Sequence, residues 1–271
     1  MAPRAQDTAT ILDCHAHIFP EQVVDRAMDA LSARYGARPV ARATPDGLLA
    51  HMDQCGVHKA LVLSVATKPS QVASINTWLT GLDQPRLVPF GSLHPYCEDI
   101  ETEVQRLLDQ GVRGVKLQPH FQDYTLDDPR VLAMLDTIGD RLLVLMHGGQ
   151  EIIPIEDLQP TPPRLLSLHQ RFPRVRFIFA HLGAYLQWDQ VEQLLVGRDV
   201  YLDASYVFDI CSDEQIARII ASHGPDRIIW GSDFPWQKQS QGLSGVERLH
   251  LAPEDKAAIL GGNLTRLLSV H

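Results

Sequence analysis

Eight short apolar runs, separated by stretches of helical periodicity, set the pattern of this chain. The first is Ile11-Leu12-Asp13-Cys14-His15-Ala16-His17. The others open near Ala60 (ALVLSV), Leu87 (LVPFGSL), Val112 (VRGVKL), Leu142 (LLVLM), Val175 (VRFIFA), Val200 (VYLDAS) and Ile228 (IIWGS). From Ala60 onward the openings are spaced by 27, 25, 30, 33, 25 and 28 residues, the size of one βα unit. Runs this apolar suit strands buried on both faces, and strands separated by helices lie parallel. The pattern predicts a single α/β domain over residues 11–271, a closed (β/α)₈ TIM barrel, with residues 1–10 as a flexible N-terminal segment. An open doubly wound sheet is the rival, but no Gly-x-Gly-x-x-Gly follows the first strand and no Walker A loop occurs. The wider interval 18–56 carries a helix predicted over Glu21–Tyr35, a loop through Pro39 and Thr44-Pro45, and a second helix over Asp46–Gln54 closed by Gly56.

Charge and composition narrow the class. A net charge of −9 without a long basic run argues against nucleic acid as a partner. Cys14, Cys55, Cys97 and Cys211 are scattered, with no Cys-x-x-Cys, so neither a disulfide framework nor a thiolate zinc site is suggested. No apolar run approaches a membrane span, and the first ten residues lack a signal peptide's apolar core. The expectation is a cytoplasmic protein that meets a small molecule rather than a membrane, with a homodimer left open.

The chemistry gathers at the ends of the runs. On a regular strand, residues two apart point the same way, so Asp13, His15 and His17 are expected on one face and Leu12, Cys14 and Ala16 on the other. Paired imidazoles can grip one divalent ion; alone, the same pair has an equally good account as two unrelated polar residues. Other runs end in His94 (SLHP), Lys116 (GVKLQPH), His147 (LMHGG), His181 (FAHLG) and Asp233 (WGSDFPW). Barrel enzymes place their catalytic groups at the C-terminal ends of strands. Each group taken singly is as well explained by a hydrogen-bonded histidine or a helix cap. The series together favours a shared metal site.

In that order, D-C-H-A-H, M-H-G-G, A-H-L-G-A-Y and G-S-D-F-P-W resemble the amidohydrolase superfamily, above all its amidohydrolase-2 branch of TIM-barrel metal-dependent hydrolases and decarboxylases. The ending I-L-G-G-N-L-T-R-L-L is similar to that branch's terminal helix. The resemblance implies one divalent ion, expected to be Zn²⁺, held by His15, His17 and His147. It implies that Asp233 touches the ion and handles the proton of its water. His181 matches a second-metal ligand in two-metal members and a catalytic histidine in one-metal members. Such a set leaves an open coordination position and brings the pKa of a bound water towards neutrality.

Lys116 sits where two-metal members carry a bridging group, but in G-V-K-L-Q-P it follows the one-metal pattern. Where relatives often read K-L-H-P this chain has Gln118, and His120 either takes over that role or is an ordinary loop residue. Lys116, His120, His94 and Trp236 are the candidate substrate contacts, with Phe234 and Tyr124 behind them. Asp203 and Ser205 read as a buried hydrogen-bond pair. The Pro-rich stretch Gly148–Pro163 is expected to serve as an active-site lid. No Gly-x-Ser-x-Gly is present to support a serine hydrolase. The first expectation is hydrolysis of a lactone, ester or amide by metal-activated water. The alternatives are non-oxidative decarboxylation of an aromatic or unsaturated acid, and a barrel that only binds. Cationic side chains beside the metal favour a carboxylated substrate, and a neutral pocket favours a lactone or amide.

Overall fold

Each apolar run becomes a strand, and each strand lies parallel to the next. A computed structural model describes residues 10–152 and 160–269. Its strands are β1 (Leu12–His17), β2 (Lys59–Leu63), β3 in two pieces (Leu87–Pro89 and Gly91–Ser92), β4 (Gly114–Leu117), β5 (Leu143–Met146), β6 (Phe177–Phe179), β7 (Tyr201–Asp203) and β8 (Ile228–Ile229). The ring closes between the last strand and the first. Cys14 N donates to Trp230 O at 3.1 Å, Asp233 N donates to His15 O at 2.8 Å, and Ala16 pairs with Phe234 in parallel. This is the closed (β/α)₈ barrel that the spacing predicts. One strand departs from a continuous run: β3 changes partner at Phe90, next to Pro89, which has no N–H to offer a ladder.

Alternation along the strands sorts side chains into two layers. Leu12, Cys14, Leu61, Leu63, Phe90, Leu143, Leu145, Ile178 and Ile229 fill the barrel interior. Val62, Val115, Leu117, Val144, Met146, Phe177 and Phe179 face the surrounding helices and pack with Val104, Leu107, Val131, Leu135 and Ile216. The terminal helix Asn263–Ser269 adds Leu264 and Leu267 to the inner cluster. The helices of the wide interval run over Val24–Tyr35 and Pro45–Cys55. The second is capped by Thr44, whose hydroxyl accepts from Gly47 N, and it ends on Gly56 at φ 71°. No helix among the described residues is long and apolar enough to cross a membrane. Residues 153–159 of the expected lid lie outside the described residues, and Pro162 and Pro163 already belong to the helix Pro162–Arg171.

β1 corrects one expectation. Its register with β2 shifts between Asp13 and Ala16. Leu12 and Cys14 belong to the inner cluster, while Ala16 belongs to the outer one. Asp13 therefore does not share a face with the two histidines. Its Oδ2 accepts from Ser232 Oγ at 2.5 Å and from Gln239 Nε2 at 2.8 Å, the latter on the helix Gln239–Arg248. The irregularity flips the alternation, so that His15 and His17 turn into the barrel mouth.

Candidate metal centre and active site

The geometry at the mouth starts from which ring nitrogens carry hydrogen. His15 Nδ1 lies 2.6 Å from Asp203 Oδ2, and His17 Nδ1 lies 3.3 Å from the carbonyl of Leu63. Both partners can only accept, so both Nδ1 atoms donate and both Nε2 atoms keep their lone pairs. Those lone pairs converge: Nε2 to Nε2 is 3.2 Å, and Asp233 Oδ1 stands 3.5 Å from one and 3.4 Å from the other. Ligands about 2.0–2.1 Å from one tetrahedral zinc are about 3.3–3.4 Å apart. Three mutually facing acceptors at this spacing fit a divalent cation, with Asp203 as the carboxylate that orients a ligating histidine. Burial and then the neighbouring Lys116 hold the His15 imidazole well below its ordinary range, which keeps the lone pair available. Burial works to raise the Asp233 carboxyl, but His15, His17 and His181 outweigh it and hold the group below the ordinary carboxylate range.

The rings continue beyond this triad. His181 is 5.3 Å from His15 between centroids, His147 is 4.8 Å from His181, and His120 is 5.4 Å from His147. His181 Nδ1 lies 3.1 Å from Ser205 O, and its Nε2 lies 3.1 Å from His147 Nδ1. Ser205 Oγ stands between His15 Nδ1 (3.0 Å) and His181 Nδ1 (3.3 Å), so the β7 end holds two rings at once. The glycines of M-H-G-G make this contact possible. A Cβ on Gly148 would meet Gly183 O at 2.2 Å, and one on Gly149 (φ 88°) would meet Tyr185 N at 2.2 Å. Tyr185 N donates to Gly148 O at 2.8 Å and Gln150 N to Tyr185 O at 3.0 Å, which draws the β5 and β6 ends together. His181 (φ 59°) and Asp233 (φ 61°) both sit in the left-handed region, a strained state that recurs at functional sites.

Lys116, next to last in β4, has its side-chain nitrogen 3.1 Å from His15 Nε2 and 1% of the residue exposed. Burial pushes it down to about 8, with Asp203, Asp233 and Glu151 opposing. Glu151 accepts from Gln118 Nε2 at 2.7 Å, and its Oε1 lies 3.4 Å from His147 Nε2 and 3.5 Å from His120 Nδ1.

A cavity opens over these groups, lined by His15, His17, Lys116, Gln118, Phe121, His147, Glu151, His181, Tyr185, Tyr206, Asp233 and Trp236, among others. Of the residues singled out from sequence, Asp233 joins His15 and His17, while His147 turns towards His120 and Glu151. His94 does not line the cavity; it is buried and packs on Tyr96, 5.5 Å between centroids. Phe234 and Tyr124 are buried outside the lining as well. Glu151, Tyr185 and Tyr206 are the additions. Tyr185 lies in the A-H-L-G-A-Y motif and Glu151 in the Gly148–Pro163 stretch, whereas no sequence signal marks Tyr206.

The family model described as amidohydrolase matches residues 12–270. No curated protein matches the sequence. Among solved structures, a 5-carboxyvanillate decarboxylase from Sphingomonas paucimobilis is similar at TM-score 0.72 and 16% identity, covering 97% of this chain and 100% of its own. The corresponding enzyme of Novosphingobium aromaticivorans, complexed with manganese and 4-hydroxy-3-methoxy-5-nitrobenzoic acid, gives 0.76 and 14%, with 97% of each chain covered. A dihydroxybenzoic acid decarboxylase from a Polaromonas species, with bound manganese and 2-nitroresorcinol, gives 0.72 and 16%, covering 96% of this chain and 97% of its own. At these identities the likeness establishes the fold.

Proposed function

The chain belongs to the amidohydrolase family, matched over residues 12–270, and we propose that within it the protein is a metal-dependent decarboxylase of a small aromatic carboxylic acid. The observation that carries this reading is Lys116, a buried ammonium in the cavity wall beside the candidate metal ligands. A cation there suits a substrate that brings a carboxylate into the site, whereas a neutral lactone or amide offers it negative charge only in the transition state. Phe121, Tyr185, Tyr206 and Trp236 supply aromatic walls for a planar ring. The activities of the structural neighbours lean the same way, and hydrolysis, the first expectation from sequence, takes second place.

His15, His17 and Asp233 would hold the divalent ion, which supplies a positive centre for the carboxylate and for charge developing on the ring. The imidazole-rich set suits zinc, and the neighbours' manganese makes that ion the other candidate. Lys116 anchors and orients the substrate carboxylate. The bond between ring carbon and carboxyl carbon breaks, and its electron pair stays on the ring. His181 delivers a proton to that carbon, carbon dioxide leaves, and water restores the proton. Turnover of a panel of hydroxybenzoic acids, followed as released carbon dioxide, tests the assignment. His181→Asn is expected to lower that turnover by about 10²–10⁴-fold, with the ion content of the His15–His17–Asp233 centre unchanged. Loss of that ion in the variant would make His181 a ligand instead.

A further inference from the structure

We propose that Asp13 is a positioning residue: its carboxylate fixes the separation of His15 and Asp233, and with it the affinity of the divalent centre they would form with His17. The inference rests on that centre and not on the reaction assigned to the cavity.

The first argument is where the bonds go. Asp13 Oδ1 accepts from two main-chain N–H groups, that of His15 at 3.0 Å and that of Ser232 at 2.9 Å. One belongs to a candidate ligand and the other to the residue before Asp233. A single oxygen therefore ties the two arms of the centre together across the seam between β1 and β8. Ordinary strand pairing does not supply this tie, because the β1 register passes from Asp13 to Ala16 and leaves His15 without a paired residue in β2.

The second argument is strain. Asp233 sits at φ 61°, and a residue other than glycine stays there only where its surroundings over-determine it. Ser232 Oγ donates to Asp13 Oδ2 at 2.5 Å and accepts from Phe234 N at 3.0 Å. The residues on both sides of Asp233 are thus held through one carboxylate.

The third argument separates this clamp from the support of the fold. Asp13 is fully buried, and Gln239 Nε2 donates to its Oδ2 at 2.8 Å. The Oε1 of the same amide lies 3.1 Å from Nδ1 of His51, on the helix Pro45–Cys55. That outer bond braces the carboxylate from the helix side and touches neither arm of the centre. The clamp itself needs an oxygen facing the two main-chain N–H groups rather than a charge. An amide at position 13 keeps that oxygen: its NH₂ takes the place of Oδ2, Ser232 Oγ accepts instead of donating, and Gln239 turns its amide over.

The Zn²⁺ affinity of the full-length protein, measured by competition with a chromogenic chelator, tests the clamp; the relevant ion is the one lost in His17→Asn. Asp13→Ala should bind it about 10–100-fold more weakly, the usual effect of losing a group that orients a ligand. Asp13→Asn should stay within a few-fold of wild type. Gln239→Ala should lower the melting temperature and leave the affinity near wild type. Ser232→Ala, a smaller change, should weaken binding in the same direction as Asp13→Ala, and it decides the matter if Asp13→Ala does not fold. Wild-type affinity in the deciding variant would overturn the clamp alone, as would a loss in Asp13→Asn equal to that in Asp13→Ala. A wild type that binds no Zn²⁺ would overturn the centre and the clamp together.

Discussion

Asparagine in place of Asp233 is expected to empty the His15–His17 centre and to cut turnover by about 10²–10⁴-fold. The substitution keeps the shape of the side chain and removes its charge. Asp233 occupies φ 61°, a conformation that asparagine accepts more readily than most residues. Its main-chain bonds, N to His15 O and O from Trp236 N, involve no side-chain atom. The barrel closure is therefore left standing, and what changes is the anion facing two neutral Nε2 lone pairs at 3.4–3.5 Å. An amide oxygen attracts a divalent cation far less than a carboxylate does. Metal content and turnover, measured on the same preparation, should fall together. Full metal content with turnover within a few-fold of wild type would remove Asp233 from the centre.

Lys116→Met should lower kcat/KM for the carboxylic acid by about 10²–10³-fold, the effect of deleting one positioned electrostatic group from a dry site. Methionine keeps most of the length and loses the ammonium. Removing a buried charge in favour of an apolar side chain is often neutral or stabilising, so loss of fold should not mimic the effect. The metal should stay, and bind no less tightly, because a cation 3.1 Å from His15 Nε2 is gone. That pairing of retained ion and lost turnover distinguishes an anchor from a ligand. Unchanged activity on the acid would leave the substrate carboxylate without its proposed partner.

The barrel was legible because a buried parallel strand writes itself as an unbroken apolar run, and all eight runs are strands. The mouth was legible to the extent that its groups sit at strand ends, as His15, His17, Lys116, His147, His181 and Asp233 do. What alternation could not carry is the point where it fails. The register shift after Asp13 sends that carboxylate towards Ser232 and Gln239, although the sequence pattern placed it with the histidines. Nor does a local pattern encode how separate segments meet. Glu151 gains its place from His120, on another segment, and from Gln118. Asp203 and Ser205 form the buried pair expected of them, through Ser205 N and Asp203 Oδ1 at 2.6 Å. They also hold His15 and His181, a role that appears only when β7 lies beside the mouth.

The central claim is that a carbon–carbon bond breaks without attack by water, and isotopic labelling reads this most directly. The protein is incubated in parallel with hydroxybenzoic acids and with lactones, esters and amides, in heavy water and in ¹⁸O-labelled water. The account predicts carbon dioxide from an acid, one deuterium on the carbon that lost it, and no ¹⁸O gained by the aromatic product. Uptake of ¹⁸O into the product of a lactone, ester or amide, with no carbon dioxide from any acid, would contradict it.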